Sequence, residues 1–433
     1  MKLFGTSGIR AVFDNDLVDL AYRVGRVVGQ SCGSVVVSTD TRTSGDAMKH
    51  AVMSGLLAAG ASCRDAGITP TPTLAFITRE YDAGVMITAS HNPPEYNGLK
   101  LLNPDGSSFG TEQQAQVETG LESPSPAVAP WEEIKRSGMH ADAIKQHIEF
   151  LAPRFPQGLK LKVVVDAGCG AASEVTPRLL EMLGCEVVSL NCYNSGFFPR
   201  GIEPTEANLE GLKEAVKENG AALGIAHDGD ADRMMAVDER GEFIPGDKLL
   251  AIFAWAGAAK EVVTTLDASM AIDRMGFAVR RTPIGDTWVS EELRSKGGDF
   301  GGETSGSWVF PEISLCPDGI YAAAQLVAIA SRRKLSELAE SLPSYPLRRG
   351  SVAGNGIDMS RLEAGLKALE PLAVSNIDGI KLDFEDGWLL VRPSGTEPKI
   401  RLTAEAGSEA RASALYDAGV RAIRESIEDG RVS

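Results

Sequence analysis

The feature that most narrows what this chain can fold into is a unit that occurs twice. In it a β-branched run ends in a polar loop and gives way to a helical stretch. Val35-Val36-Val37-Ser38 leads into Thr39-Asp40-Thr41-Arg42-Thr43-Ser44-Gly45, and residues 46–59 then read as a helix. Leu161-Lys162-Val163-Val164-Val165-Asp166 repeats the pattern, followed by the loop Ala167-Gly168-Cys169-Gly170, a helix near Ala172 to Leu183 and a strand at Glu186 to Leu190. Ala83 to Ala89 is a further buried strand ending in a polar loop. Such strand–helix alternation is the mark of βα units in a parallel sheet, and the echo points to related α/β modules.

A chain of 433 residues exceeds one ordinary domain, so about three or four are expected. A third module runs from about Pro245 to Leu342, with strands near Glu261 to Thr265 and Ala278 to Thr282. The C-terminal part differs. Gly379 to Glu385, Asp386-Gly387 and Trp388 to Val391 give a hairpin signal, and a strand at Ile400 to Ala404 and a helix from Ser408 to Ile427 follow. Leu121 to Pro130, rich in Pro and Ser, reads as a linker. The expected fold class is α/β: three similar α/β domains with mixed sheets (residues 1–140, 141–243 and 244–343) and a C-terminal α+β domain (residues 344–433).

A hydrophobic share of 43% and a charged share of 24% suit a soluble globular chain with ample core. No run approaches the roughly 18 apolar residues of a membrane span, and Met1 to Ser7 lacks the apolar segment of a signal peptide. A cytoplasmic protein is expected. Net charge of -16, from 59 acidic and 43 basic residues, argues against nucleic acid or an anionic membrane as partner. A phosphate ligand would then need a local cationic cluster. The six cysteines form no C-x-x-C pair and read as reduced thiols.

Four loops carry chemistry. In Thr88-Ala89-Ser90-His91-Asn92-Pro93-Pro94-Glu95-Tyr96-Asn97-Gly98-Leu99-Lys100, a strand delivers a serine into a loop stiffened by two prolines. His91 and Lys100 are placed to supply a base or a positive charge; the alternative is an ordinary polar turn. No G-x-S-x-G elbow accompanies the serine, so a hydrolase nucleophile is not supported. In His227-Asp228-Gly229-Asp230-Ala231-Asp232-Arg233, three alternate carboxylates can converge on one hard cation, against a solvated acidic turn as the alternative. An EF-hand is disfavoured: Glu239 holds the twelfth place, but Arg233 stands where Gly is required and a strand leads in. Gly301-Gly302-Glu303-Thr304-Ser305-Gly306-Ser307 offers a carboxylate and hydroxyls suited to sugar hydroxyls, although such loops are also common turns. Arg392-Pro393-Ser394-Gly395-Thr396-Glu397-Pro398-Lys399-Ile400-Arg401 offers guanidinium groups, hydroxyls and a glycine backbone suited to a phosphate monoester, or a surface turn.

In this order the four loops, preceded by Phe4-Gly5-Thr6-Ser7-Gly8-Ile9-Arg10, resemble the signature loops of the α-D-phosphohexomutases, from Phe4 to about Arg401. The resemblance implies four domains around a central active-site cleft and a phosphosugar mutase that interconverts hexose 6-phosphate and hexose 1-phosphate. It implies that Ser90 carries the phosphoryl group. Ser90, Asp228, Asp230 and Asp232 would bind one Mg²⁺, and Arg10, His91 and Lys100 would surround the transferring group, with Lys100 as candidate acid/base. Arg233 would lie beside the metal loop. Glu303, Thr304 and Ser305 would hold sugar hydroxyls, and Arg392, Ser394, Gly395, Thr396 and Arg401 the non-reacting phosphate. A hexose 1,6-bisphosphate is the implied intermediate and activator, a small-molecule phosphosugar the partner, and a monomer or homodimer the assembly. Arg281-Thr282-Pro283-Ile284-Gly285-Asp286 resembles the T-x-V-G-D loop of the family's glucosamine-phosphate branch, which adds Gly285 and Asp286 to the substrate-binding set. Glucosamine phosphate is therefore the expected substrate, with mannose or glucose phosphate as the alternative. Many relatives have His where this chain has Ser307, so no imidazole acts at that position. A non-catalytic phosphosugar-binding protein would have lost the serine or a metal ligand, whereas Ser90 and all three aspartates are present. A phosphatase would send water to the same phosphoserine, and a cradle for a second phosphate favours the mutase.

Overall fold

The structure is a computed structural model that describes residues 3–5, 7–122, 128–353, 358–393 and 399–428. It divides into two compact units: Met1–Val263 with Gly285–Ser341, and Thr264–Ile284 with Leu342–Ser433.

In the first unit, the first sheet has six strands in the order Ile9–Val12, Tyr96–Leu102, Ala83–Ile87, Ser34–Thr39, Ser62–Ile68, Gly138–Met139. Ser34–Thr39 is parallel to both neighbours, whereas Tyr96–Leu102 returns antiparallel to Ala83–Ile87. The expectation of a mixed sheet holds. Both faces are covered, as the unbroken β-branched run requires. Val35 and Val37 pack on one side with Val24, Leu56, Val85 and Ile87, and Val36 on the other with Leu74, Ile77, Met86 and Leu102. Each such fully buried side chain contributes about 1.5–3 kcal/mol. Ile9–Val12 closes the edge beside Tyr96–Leu102, with Arg10 opposite Gly98. A Cβ on Gly98 would lie 2.0 Å from the Ile9 carbonyl oxygen, so only glycine admits this approach.

The second sheet runs Phe243–Ile244, Met234–Asp238, Leu223–His227, Lys162–Asp166, Glu186–Leu190. Its centre is parallel and Met234–Asp238 returns antiparallel to Leu223–His227. The serine loop and the acidic loop therefore occupy the same topological place, the bend between a parallel strand and its antiparallel return. The third chemical loop is the turn of an antiparallel pair, Phe300–Glu303 with Ser307–Val309.

The second unit contains an antiparallel sheet in the order Leu347–Ala353, Lys399–Ala406, Gly387–Pro393, Ile380–Phe384, Ala373–Ser375. Helices Met359–Lys367 and Glu409–Glu428 accompany it, and Leu362, Leu366, Leu382, Leu389, Leu402, Leu415 and Ile423 form their shared core. The predicted hairpin forms one residue out of place: Phe384 pairs with Gly387, so the turn is Glu385-Asp386. Gly387 is a strand residue whose Cβ would meet the Glu405 carbonyl at 2.4 Å; close cross-strand approach, not turn geometry, requires it. The predicted linker also starts too early, because Leu121 and Glu122 end the helix Thr111–Glu122 and Leu121 is buried in the first core. Among the described residues no helix is long and apolar enough to cross a membrane.

Candidate active site

Ser90 sits three residues beyond Ala83–Ile87 with φ of 50°, in the left-handed region that costs a non-glycine residue about 1–3 kcal/mol. That conformation sends its hydroxyl across to the second sheet, where Ser90 Oγ donates to Asp228 Oδ2 at 2.6 Å. His91 Nδ1 lies 3.3 Å from the same oxygen. The serine is 1% exposed. Arg10, on the edge strand, reaches the loop by donating to Asn92 Oδ1 at 3.0 Å.

Asp228, Asp230 and Asp232 are all buried, and each offers a carboxylate oxygen within 4.8 Å of the others. Ala231, with φ of 58°, gives the bend that turns alternate side chains the same way. Lys100 extends from the neighbouring sheet, with Nζ 2.6 Å from Asp230 Oδ2 and in a second ion pair with Asp232 Oδ2. Thr71, which opens the helix Thr71–Thr78, donates its hydroxyl to Asp230 Oδ2 and its N–H to the Asp230 carbonyl at 2.9 Å. The other oxygens, Asp230 Oδ1 and Asp232 Oδ1, are buried and have no hydrogen-bond partner among the described residues. Buried lone pairs without donors are costly, and a hard divalent cation would satisfy them. The donor set thus fits a metal ion.

The electrostatics point the same way. Burial, then the charges of Asp232 and Asp230, push the Asp228 carboxyl well above its ordinary range, and burial with Asp230 raises Asp232. Burial also acts to raise Asp230, but the charge and hydrogen bond of Lys100 outweigh it and hold this carboxyl below the usual range. Burial opposes the Lys100 charge, yet Asp230 and Asp232 outweigh it and push the ammonium upward, so Lys100 is protonated at neutral pH. The EF-hand is excluded by structure: a strand follows the loop, and Glu239 accepts hydrogen bonds from the Ser336 hydroxyl and N–H.

Of the two roles left open for His91, a base or a positive charge, its surroundings favour the first. Burial, then the charges of Arg233, Arg10 and Lys100, pull its imidazole down to about 2, so it is neutral and supplies no positive charge. His227 is neutral as well, pulled down to about 4 by burial. Its Nδ1 lies 3.1 Å from the Arg233 carbonyl and its Nε2 3.0 Å from Thr176 Oγ1, which ties the two ends of the acidic loop together. Arg233 donates its N–H to Asp228 Oδ1 at 3.2 Å and its guanidinium to Glu203 Oε1 at 2.7 Å. Sequence reasoning missed Glu203 and Thr71, since nothing local marks either.

The Gly-rich loop lies beside this cluster. The Met234 N–H donates to the Gly306 carbonyl at 2.9 Å, and Arg233 forms an isolated bridge with Ser307. Glu303 and Ser307 are buried, Thr304 is partly exposed, and Ser305 Oγ is buried with no hydrogen-bond partner among the described residues. Asp286 opens the helix Asp286–Lys296 behind Gly285, and its Oδ1 accepts from Ser7 Oγ at 2.7 Å.

In the second unit, Arg392 Nε donates to Asp378 Oδ1 at 2.8 Å, and Asp378 Oδ2 accepts the Ile284 N–H at 3.0 Å. Arg401 stands opposite Arg392 on the adjacent strand and is exposed. Ser394, Gly395 and Thr396 lie outside the described residues.

This geometry belongs to a recognised class. Family models described as phosphoglucomutase/phosphomannomutase alpha/beta/alpha domains I, II and III match residues 1–127, 139–241 and 245–345, and the C-terminal domain model matches residues 357–425. The chain belongs to the phosphoglucomutase/phosphomannomutase family. A probable phosphoglucosamine mutase of Methanocella arvoryzae is 47% identical over 436 residues, covering 99% of each chain. One of Methanococcoides burtonii is 46% identical, covering 99% of this chain and 100% of the relative. A crystal structure of a phosphoglucomutase/phosphomannomutase family protein from Burkholderia thailandensis superposes with a TM-score of 0.85 at 28% identity, covering 97% of both chains.

Proposed function

We propose that this chain is a phosphosugar mutase interconverting glucosamine 6-phosphate and glucosamine 1-phosphate through phosphorylated Ser90 and a 1,6-bisphosphate. The observation that carries the reading is the contact of the Ser90 hydroxyl with Asp228, inside a buried carboxylate triad that retains unsatisfied oxygens. Asp228, Asp230 and Asp232 would hold Mg²⁺, which would supply charge neutralisation on the transferring phosphoryl group. Lys100, which pairs with Asp230 and Asp232, acts in this reading as the acid that returns a proton to the leaving sugar oxygen. Neutral His91 hydrogen-bonds near Ser90 Oγ, and Arg10 adds positive charge beside the loop. Arg233 steadies the acidic loop through Asp228 and Glu203. By their sequence motifs, Glu303, Thr304, Ser305, Gly285 and Asp286 are assigned to the sugar, and Arg392, Ser394, Gly395, Thr396 and Arg401 to its non-reacting phosphate.

The reaction has two halves. Phosphorylated Ser90 gives its phosphoryl group to the free hydroxyl of the monophosphate, and the resulting bisphosphate returns its other phosphoryl group to Ser90. A trace of hexose 1,6-bisphosphate primes the cycle by phosphorylating Ser90. The names of the full-length relatives support glucosamine as the sugar. A mutase assay with Mg²⁺ and the matching bisphosphate, run on glucosamine, glucose and mannose phosphates, tests this. The expected result is a kcat/KM for glucosamine phosphate at least about tenfold higher, roughly 1.4 kcal/mol of discrimination. Equal or greater activity on mannose or glucose phosphate overturns the sugar assignment, and release of inorganic phosphate without isomer overturns the mutase.

A further inference from the structure

Arg42 lies in the polar loop after Ser34–Thr39, and its side chain is fully buried. Its guanidinium has five N–H donors, and all five are used. Nε donates to Asp40 Oδ2 at 3.1 Å, which sets the fork. Nη1 donates to the carbonyls of Pro93 at 2.6 Å and Tyr96 at 2.9 Å. Nη2 donates to the carbonyls of Ser90 at 2.9 Å and Asn92 at 2.7 Å. One side chain therefore gathers four carbonyls of the loop that carries the serine.

The partner of Arg42 controls the other side of Ser90. Asp40 Oδ2 accepts from Thr88 Oγ1 at 2.6 Å, which directs the Thr88 oxygen to accept the Ser90 N–H at 2.8 Å. The N–H of Ser90 is thus held through Thr88 and Asp40, and its carbonyl by Arg42 directly. Both backbone handles of the one left-handed residue in this loop trace back to a single buried ion pair. The pair is in turn fixed against the second sheet's loops. Thr41 Oγ1 donates to the Cys169 carbonyl at 2.7 Å, and the Phe198 ring lies 5.4 Å from the guanidinium carbon. The Ser90 carbonyl oxygen also lies where a Cβ on Gly229 would stand, 2.6 Å away, so serine loop and acidic loop meet backbone to backbone.

We propose that Arg42, with Asp40 and Thr88, is the positioning device that sets the Ser90 hydroxyl against Asp228 for phosphoryl transfer. None of the three touches the sugar or the transferred group; they act through the backbone of Ser90. This rests on the reading of Ser90 as phosphoryl carrier. In the step concerned, the bond from Ser90 Oγ to phosphorus forms as the sugar oxygen–phosphorus bond breaks. The serine proton leaves and the sugar oxygen gains one, so the step needs no further reactant.

The test uses the full chain with Mg²⁺ and glucose 1,6-bisphosphate, with phosphate on Ser90 followed by intact mass and peptide mapping. Arg42→Lys keeps the charge but offers three donors without the planar fork. It is expected to slow Ser90 phosphorylation and kcat about a hundredfold, the cost of displacing a reacting group by about 1 Å. KM for the sugar monophosphate should stay within about twofold of wild type, because sugar contacts are untouched. Thr88→Val, which cuts only the Ser90 N–H arm, should act in the same direction by about tenfold and decides the matter if Arg42→Lys does not fold. A folded Arg42→Lys chain that phosphorylates Ser90 at the wild-type rate overturns the proposal, as does a KM rise with kcat unchanged. So does a wild-type rate in Thr88→Val when Arg42→Lys is unfolded. A wild-type chain that takes phosphate, but not on Ser90, overturns the phosphoserine reading itself and the positioning role with it.

Discussion

The region around Ser90 and the region around Arg392 are both rich in charge, yet they are built on opposite plans. Ser90, Lys100 and the three aspartates are buried, with Lys100 only 4% exposed, and most of their polar atoms have partners from other strands and helices. Arg392 and Asp378 keep 23% and 20% of their side-chain surface open. A charge in the first setting feels its neighbours through a low dielectric and cannot be altered without disturbing all of them. A charge in the second is partly screened, and its pairing adds little. Under the proposed function the two settings suit two tasks: holding a reacting group in one geometry, and catching a phosphate that arrives from water.

Ser90→Ala tests the first task most severely. It should remove at least about 10³-fold of mutase turnover while leaving the thermal midpoint close to wild type, and retained activity would break the phosphoserine mechanism. Lys100→Met leaves three buried carboxylates facing one another without their ammonium. It should cost about 3–5 kcal/mol of stability, the penalty for removing one partner of a buried ion pair. Millimolar Mg²⁺ should restore more of the midpoint in this variant than in wild type, because the cation then replaces the missing charge. A Mg²⁺ response no larger than that of wild type would show that the triad is not the cation site. Arg392→Ala tests the second task. It should raise KM about ten- to a hundredfold, for a charge-assisted contact of about 1.5–3 kcal/mol, with little change in stability. An unchanged KM removes Arg392 from the binding site. The smallest effect belongs to Asp378→Ala, which releases a partly exposed pair and should cost no more than about 1 kcal/mol of stability, read from the thermal midpoint. A larger loss would show that this region is as tightly coupled as the other.

Much of the plan was legible in the sequence, for local reasons. Ser90 and the three aspartates stand in short loops straight after apolar strands, where function-bearing residues gather in α/β folds. The strand Glu186–Leu190 and the third module's strands at Glu261–Thr265 and Ala278–Thr282 lie where β-branched content placed them. What stayed hidden depends on partners distant in the chain. Lys100 meets Asp230 and Asp232 across separations of 130 and 132 residues, and Thr71 meets Asp230 across 159. No local pattern encodes such pairings. The sequence left His91 open as a base or a positive charge, because the burial and three cations that hold it neutral are not visible from its neighbours in sequence. The segment Asp40-Thr41-Arg42 did carry a signal, charged residues at the end of a buried parallel strand, but its four carbonyl targets became apparent only in three dimensions.

The span of these contacts bears on when, during the making of the protein, the Ser90 hydroxyl reaches its native setting. Arg42 reaches the loop across 48 to 54 residues, and Ser90 reaches Asp228 across 138. The Asp228 contact forms later than those of Arg42, because it closes the larger loop and needs the second sheet in place. A nascent chain that has emerged only through its first sheet therefore holds the Ser90 loop by Arg42 but lacks the Asp228 partner of the serine hydroxyl. The serine hydroxyl meets Asp228 only when one sheet's loop docks against the next, so under the proposed function phosphoryl chemistry waits until both sheets have folded.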